Sequence, residues 1–125
     1  MTASPFFVRT SDYAAPLNVV GEHITVLASG RQTGSYEAFI QAGPEGSGPI
    51  PHTHPWDESL FVLRGEVAFS LGDEPPSTAS VGTFVHVPAG AKHWFRWRQG
   101  GGAMLSITSR TGASAMFSDI HAEIA

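Results

Sequence analysis

Short apolar runs, each closed by Gly or Pro, recur along the chain and predict strands. Ile24 to Ala28 reads ITVLA and stops at the Ser29-Gly30 turn. Ser35 to Ala42 sets Tyr36, Ala38 and Ile40 against Glu37, Phe39 and Gln41, the period of two of a half-buried strand. Leu60 to Leu63 is continuously apolar, and Arg64-Gly65 predicts a hairpin turn into Glu66 to Leu71. Gly82 to Val87 is a further apolar strand stopped by Pro88-Ala89-Gly90. His93 to Arg98 alternates again, with His93, Phe95 and Trp97 on one face and Trp94, Arg96 and Arg98 on the other. Met104 to Thr108 follows the flexible turn Gly100 to Gly102. One stretch changes period: Ser114 to Ile124 places Phe117, Ile120 and Ile124 at helical spacing, with Ser114 as its expected N-cap.

The remaining segments are breaks. Phe6 to Arg9 reads as a short edge strand, and Asp12 to Asn18 is interrupted by Pro16. Gly43 to Pro51 carries three glycines and three prolines and is expected to be a shaped loop. Asp73 to Pro76 (DEPP) is an exposed turn. Eight to ten short strands with one terminal helix predict an all-β fold, a single-domain β-barrel or jelly roll over 1–125 with a short C-terminal helix.

Composition narrows the function. The 125 residues suit one domain with a real core, and 14 glycines with 9 prolines favour many tight turns. No cysteine is present, which excludes disulfides, thiolate metal sites and a cysteine nucleophile. The net charge is −4 and the seven basic residues are scattered, so no nucleic-acid partner is expected. No apolar stretch approaches membrane-spanning length, and the N-terminus lacks a basic start followed by a long apolar run. The expected setting is cytoplasmic, without a membrane partner.

Within GSGPIPHTHPWDESLFVLRG (46–65), His52 and His54 are two apart and Glu58 follows four residues later. On extended backbone, side chains at i and i+2 leave the same face, so both imidazoles reach one point, and the carboxylate can close on it. Histidine with carboxylate suits a divalent transition metal. His93, which opens a strand after a Pro-x-Gly turn, is the best candidate for a further ligand. Three neutral imidazoles and one carboxylate on a divalent ion would leave a net charge near plus one and, in octahedral geometry, two open positions.

These residues stand in a wider pattern. Gly46, His52, His54, Glu58 and Gly65 fill G-x5-H-x-H-x3-E-x6-G, and Gly82, Pro88, Gly90 and His93 fit all but the last position of G-x5-P-x-G-x2-H-x3-N (82–97). Both motifs resemble those of a single-domain cupin. Trp97 departs from the pattern, standing where that family usually has asparagine. The resemblance implies a small barrel holding one divalent ion (iron, manganese, nickel, cobalt, copper or zinc) on His52, His54, Glu58 and His93, usually in a homodimer. By alternation Trp97 shares the His93 face and is expected to line the pocket with Phe95 and Trp56. His86 reads as a structural histidine, His23 and His121 as exposed, and Arg96 and Arg98 as lying outside. The terminal helix is expected to cover barrel or dimer surface.

The tract HTHPWDESLFVLRGEV with VPAGAKHWFRW further resembles small monocupins likened to quercetin 2,3-dioxygenases. This implies a metal-dependent oxygenase acting on a small phenolic or enolic compound, with Glu58 as catalytic base. Two rivals are kept: a non-redox isomerase, lyase or polyketide-type cyclase, and a non-catalytic cupin that binds a metal or small ligand.

Overall fold

The computed structural model describes residues 4–109 and 112–124. Nine antiparallel strands form two sheets. The larger is ordered β1 (Leu17–Val19), β2 (Glu22–Ala28), β3 (Tyr36–Gly43), β9 (Gly102–Ser109), β4 (Glu58–Arg64), β7 (Phe84–Val87). The smaller is β6 (Ser77–Ala79), β5 (Val67–Leu71), β8 (His93–Trp97). The sheets face each other as a jelly-roll barrel, closed at one side by the helix α2 (Ala113–Ile124). A four-residue helix, α1 (Gly30–Thr33), follows β2 where only a turn was expected.

Two expected elements are absent among the described residues. Residues 6–9 form no strand, and the chain instead makes a single 3-10 turn at Thr10–Asp12 before β1, which follows Pro16. Arg64-Gly65 does not join a hairpin: β4 pairs with β7 and β9, whereas β5 pairs with β6 and β8. The chain changes sheets there because Gly65 takes φ +80° and its α-carbon lies against the Gly101 carbonyl, where no side chain fits.

The alternation in β3 places its polar members inside. Glu37, Phe39 and Gln41 are buried while Tyr36 is exposed. Phe39 joins an apolar cluster with Ile24, Trp56, Ala113 and Phe117, and a second cluster holds Leu60, Val62, Phe69, Phe95, Trp97 and Met104. Buried Glu37 accepts from Gly30 N–H (2.7 Å) and from Ser114 N–H (2.9 Å) and Oγ–H (2.5 Å). It therefore satisfies one free amide in the first turn of each helix. Ser114 is not the cap but a donor to it. At the other end of α2, His121 Nδ1 accepts from Asn18 N–H at 2.7 Å, so His121 is half-buried rather than exposed. The side chain of Ile124 lies outside the described residues. Exposed His23 lies as expected, and His86 is exposed on the outer face, paired with Ser59 Oγ at 3.1 Å.

Candidate metal centre

The histidine segment is held in place by its neighbours rather than by a strand of its own. His52 makes a single bridge to the start of β8: His52 N–H donates to His93 O (3.1 Å) and His93 N–H to His52 O (3.0 Å). His54 lies beyond it in irregular backbone, so the expected extended strand is corrected to a shaped loop. Pro51 and Pro55 remove two donors from any ladder. In its place Gly90 N–H donates to His54 O at 2.9 Å, and the Asp57 carboxylate accepts from Ala89 N–H at 2.8 Å. The Pro88-Ala89-Gly90 turn, read as a strand stop, thereby clamps the loop beside β8. Glu58 then opens β4 and His93 opens β8.

All four side chains converge. Nδ1 of His52, His54 and His93 lies 2.9, 3.0 and 3.0 Å from the carbonyls of Ile50, Trp56 and Ala91. A carbonyl only accepts, so each Nδ1 carries a proton and each Nε2 of a neutral ring presents a lone pair. The ligand atoms of the three rings fall within 4.8 Å of one another. Glu58 Oε1 sits 3.3 Å from His54 Nε2 and 3.5 Å from His93 Nε2. Lone pairs facing a carboxylate oxygen at that range repel unless a cation stands among them. His93 Nε2 is buried without a hydrogen-bond partner, the condition of an atom that awaits a ligand. A divalent transition ion fits this donor set, and the three carbonyls are the outer contacts that fix ligand imidazoles.

The ionisation of the cluster follows from the same contacts. Burial alone would raise the Glu58 carboxyl, but a protonated His54 and the Ser106 hydroxyl donate to it, His93 lies close by, and together they hold the pKa at about 2. Ser106 Oγ–H donates to Oε2 at 2.6 Å, with the Gln41 amide at 3.4 Å. Burial lowers His54, yet the Glu58 hydrogen bond and charge more than offset this and its pKa is raised. His52, farther from Glu58, stays lowered by burial. In the absence of an ion, a proton on His54 fills the same electrostatic role.

The cluster opens on a cavity of about 390 Å³. Trp56 and Phe95 line it, and Trp56 stacks on His54 with ring centroids 4.8 Å apart. Trp97 does not. Its indole is 2% exposed in the barrel core and donates Nε1–H to Glu22 Oε1 at 3.1 Å. The alternation that points Trp97 inward is correct, but four residues of β8 carry it about 13 Å from His93, into the second apolar cluster. Arg96 is corrected too: half-buried, it donates to the Gly48 and Pro49 carbonyls at 2.7 Å each and shapes the cavity lip, while Arg98 is exposed as expected.

The cavity contains residues that sequence reasoning did not single out. Met116, Phe117 and Ile120 of α2 form part of its wall, so the helix is not merely an outer cover. Glu22 and Gln41 line it as well. For Gln41 the alternation of β3 carried a signal, but not which face was inside. For Glu22 no motif marks the position.

The family model described as Cupin domain matches residues 39–108. No curated protein matches the sequence. Among solved structures, KdgF from Halomonas sp. superposes with TM-score 0.79 at 18% identity, covering 89% of this chain and 99% of that one. The polyketide cyclase RemF from Streptomyces resistomycificus gives TM-score 0.73 at 17% identity over 85% of this chain and 80% of its own. The DMSP lyase DddQ from Ruegeria pomeroyi gives TM-score 0.57 at 29% identity over 61% of this chain and 39% of its own. Among the described residues no helix is long and apolar enough to cross a membrane.

Two outcomes follow from this geometry. A metal bound at this cluster would have to displace the proton of His54, whose pKa is raised, so apparent Zn²⁺ affinity should fall as pH drops through that pKa, about tenfold per unit, in competition titrations with a chelating dye. An affinity flat between pH 8 and 5.5 would be incompatible with His54 as a ligand. Trp97→Asn should cost about 3–5 kcal/mol in urea unfolding, the loss expected for a large buried aromatic, and should leave bound metal unchanged in the folded protein.

Proposed function

The chain belongs to the cupin family, and from that premise we propose that it is a metal-dependent enzyme acting on a small phenolic or enolic compound. His52, His54, Glu58 and His93 would hold one divalent transition ion. The observation that carries this reading is the set of three Nε2 lone pairs turned on a carboxylate oxygen, with His93 Nε2 left unpartnered. Bound there, the ion would supply Lewis acidity, lowering the pKa of a hydroxyl brought against it.

The chain's own residues supply the rest. Glu58, anionic across the physiological range, takes the substrate proton at Oε1 while Ser106 and Gln41 hold Oε2. Trp56 and Phe95 offer flat apolar surface to a ring, and Met116, Phe117 and Ile120 exclude water from above it. Lys and Arg are missing from the described lining, which favours a neutral or singly ionised compound over a polyanion.

Two outcomes of proton removal share this site. Isomerisation, elimination or cyclisation needs no further reagent, and we favour it because structures named as a cyclase and a lyase superpose on the chain. Oxygenation, implied by the likeness to quercetinases, needs dioxygen and a redox-active ion. Dimerisation and a cytoplasmic setting stay within the same proposal.

Elemental analysis after metal-replete expression should find close to one divalent ion per chain in the wild type and almost none in His54→Ala; a metal-free wild type would sink the proposal. Glu58→Gln should retain a large part of the metal and lose turnover by about 10²–10⁴-fold on an enolisable substrate. An oxygen electrode run alongside separates the two chemistries, since stoichiometric uptake would return the oxygenase reading to first place.

A further inference from the structure

Two exposed aliphatic side chains border the mouth of the cavity, and the metal centre uses neither. Val20, in the turn between β1 and β2, is 65% exposed, and Ile50, in the loop before His52, is 72% exposed; both line the space that opens on the cluster. A lone exposed aliphatic group is ordinary on a protein surface. Two that reach one opening from separate segments are not scattered.

Val20 stands there against its own backbone. Val19 pairs with Glu22, so Val20 and Gly21 form a two-residue hairpin loop, and their φ angles are +51° and +85°. Positive φ at both central positions is the mark of a type I′ turn, which suits Asn-Gly, whereas a branched β-carbon crowds the chain there. Val20 is the single non-glycine residue with positive φ among the described residues. Its exposed side chain gains no core packing in return. Strain of this kind gathers at ligand clamps.

The other lip is fixed. Arg96 donates to the Gly48 and Pro49 carbonyls at 2.7 Å each, and Trp97 N–H donates to Ser47 O at 2.9 Å. Ser47 Oγ, 3.0 Å from Glu22 Oε2, ties this loop to the first residue of β2, beside the Val20 turn. Half-buried Pro49, Met116 and Ile120 continue the apolar wall inward. Both lips are therefore set in place before anything binds, and covering them costs little ordering.

We propose that Val20 and Ile50 are specificity-determining residues that close on an apolar substituent of the bound compound, projecting toward the mouth. The substrate class is then a phenol or enol that carries an alkyl or aryl arm, with its oxygen directed to the histidine cluster. This rests on the metal-chelation reading for the oxygen end only.

Two measurements test it. Val20→Asn supplies the Asn-Gly pair that the turn prefers, so its urea midpoint should rise by about 0.5 M, the size expected when strain of this order is released in a small domain. A midpoint that stays or falls would show that valine suits the turn, and overturns the proposal without touching the metal site. In the second, the cobalt(II)-loaded protein is titrated with catechol and with 4-butylcatechol, which share a chelating head and differ in the apolar arm. The wild type should favour the butyl compound by about tenfold, the worth of four half-covered carbons. Val20→Asn and Ile50→Ser should each cut that preference to about a third, by removing part of the covering surface. Equal binding of the two probes by the wild type, or a preference that survives in both variants, overturns the proposal. Loss of a wild-type oligomer in either variant, seen by sedimentation, would make these side chains a subunit contact and also overturns it. If neither compound perturbs the cobalt spectrum, the chelation reading fails and takes the proposed arm with it. Should Ile50→Ser not fold, the two Val20→Asn measurements decide.

Discussion

Three imidazole lone pairs and one carboxylate oxygen are forced toward the same small volume, and that electrostatic conflict governs the interior of this barrel. Each Nδ1 is committed to a carbonyl two residues away, so no ring can turn to relieve it. The carboxylate is committed through Ser106. Only a positive charge at the centre satisfies all four groups, and the backbone that imposes this is itself fixed by the bridge from His52 to His93 and by the clamp of the 88–90 turn. Much of the loop architecture is therefore the cost of keeping donors aimed at one another.

The cavity that opens above the centre is lined by two carboxyl groups whose pKa values are pushed in opposite directions. Donors around Glu58 hold its pKa at about 2, whereas burial raises that of Glu22 against the hydrogen bonds from Trp97 and Ser47. The same side-chain chemistry is thus driven two ways, decided by the neighbours each strand supplies.

Legibility in the sequence followed the range of the interactions involved. The spacing of His52, His54 and Glu58 and the turn before His93 are local, and the strands that present them were readable from alternation and Gly or Pro stops. The transfer of the chain from one sheet to the other at Gly65 was not, because a tight turn between two apolar runs looks the same whether or not those runs pair. Trp97 was read to the right face but the wrong depth, since alternation gives direction and not distance along the barrel. Nothing local marks Glu37 and Glu22 as interior; what holds them inside are Ser114, Gly30, Trp97 and Ser47, partners as many as 77 positions away in the chain.

The wall that α2 gives the cavity separates two kinds of change. The helix follows the last strand, anchored by Glu37 at its start and by His121 near its end, and none of its described side chains belongs to the histidine cluster. Residues such as Met116 and Ile120 can be exchanged for larger or smaller ones without disturbing the strands that aim the imidazoles. The size of the cavity can drift through this one segment while the cluster beneath it stays constant, so the helix is the natural place for selection, or a designer, to retune what the barrel accepts.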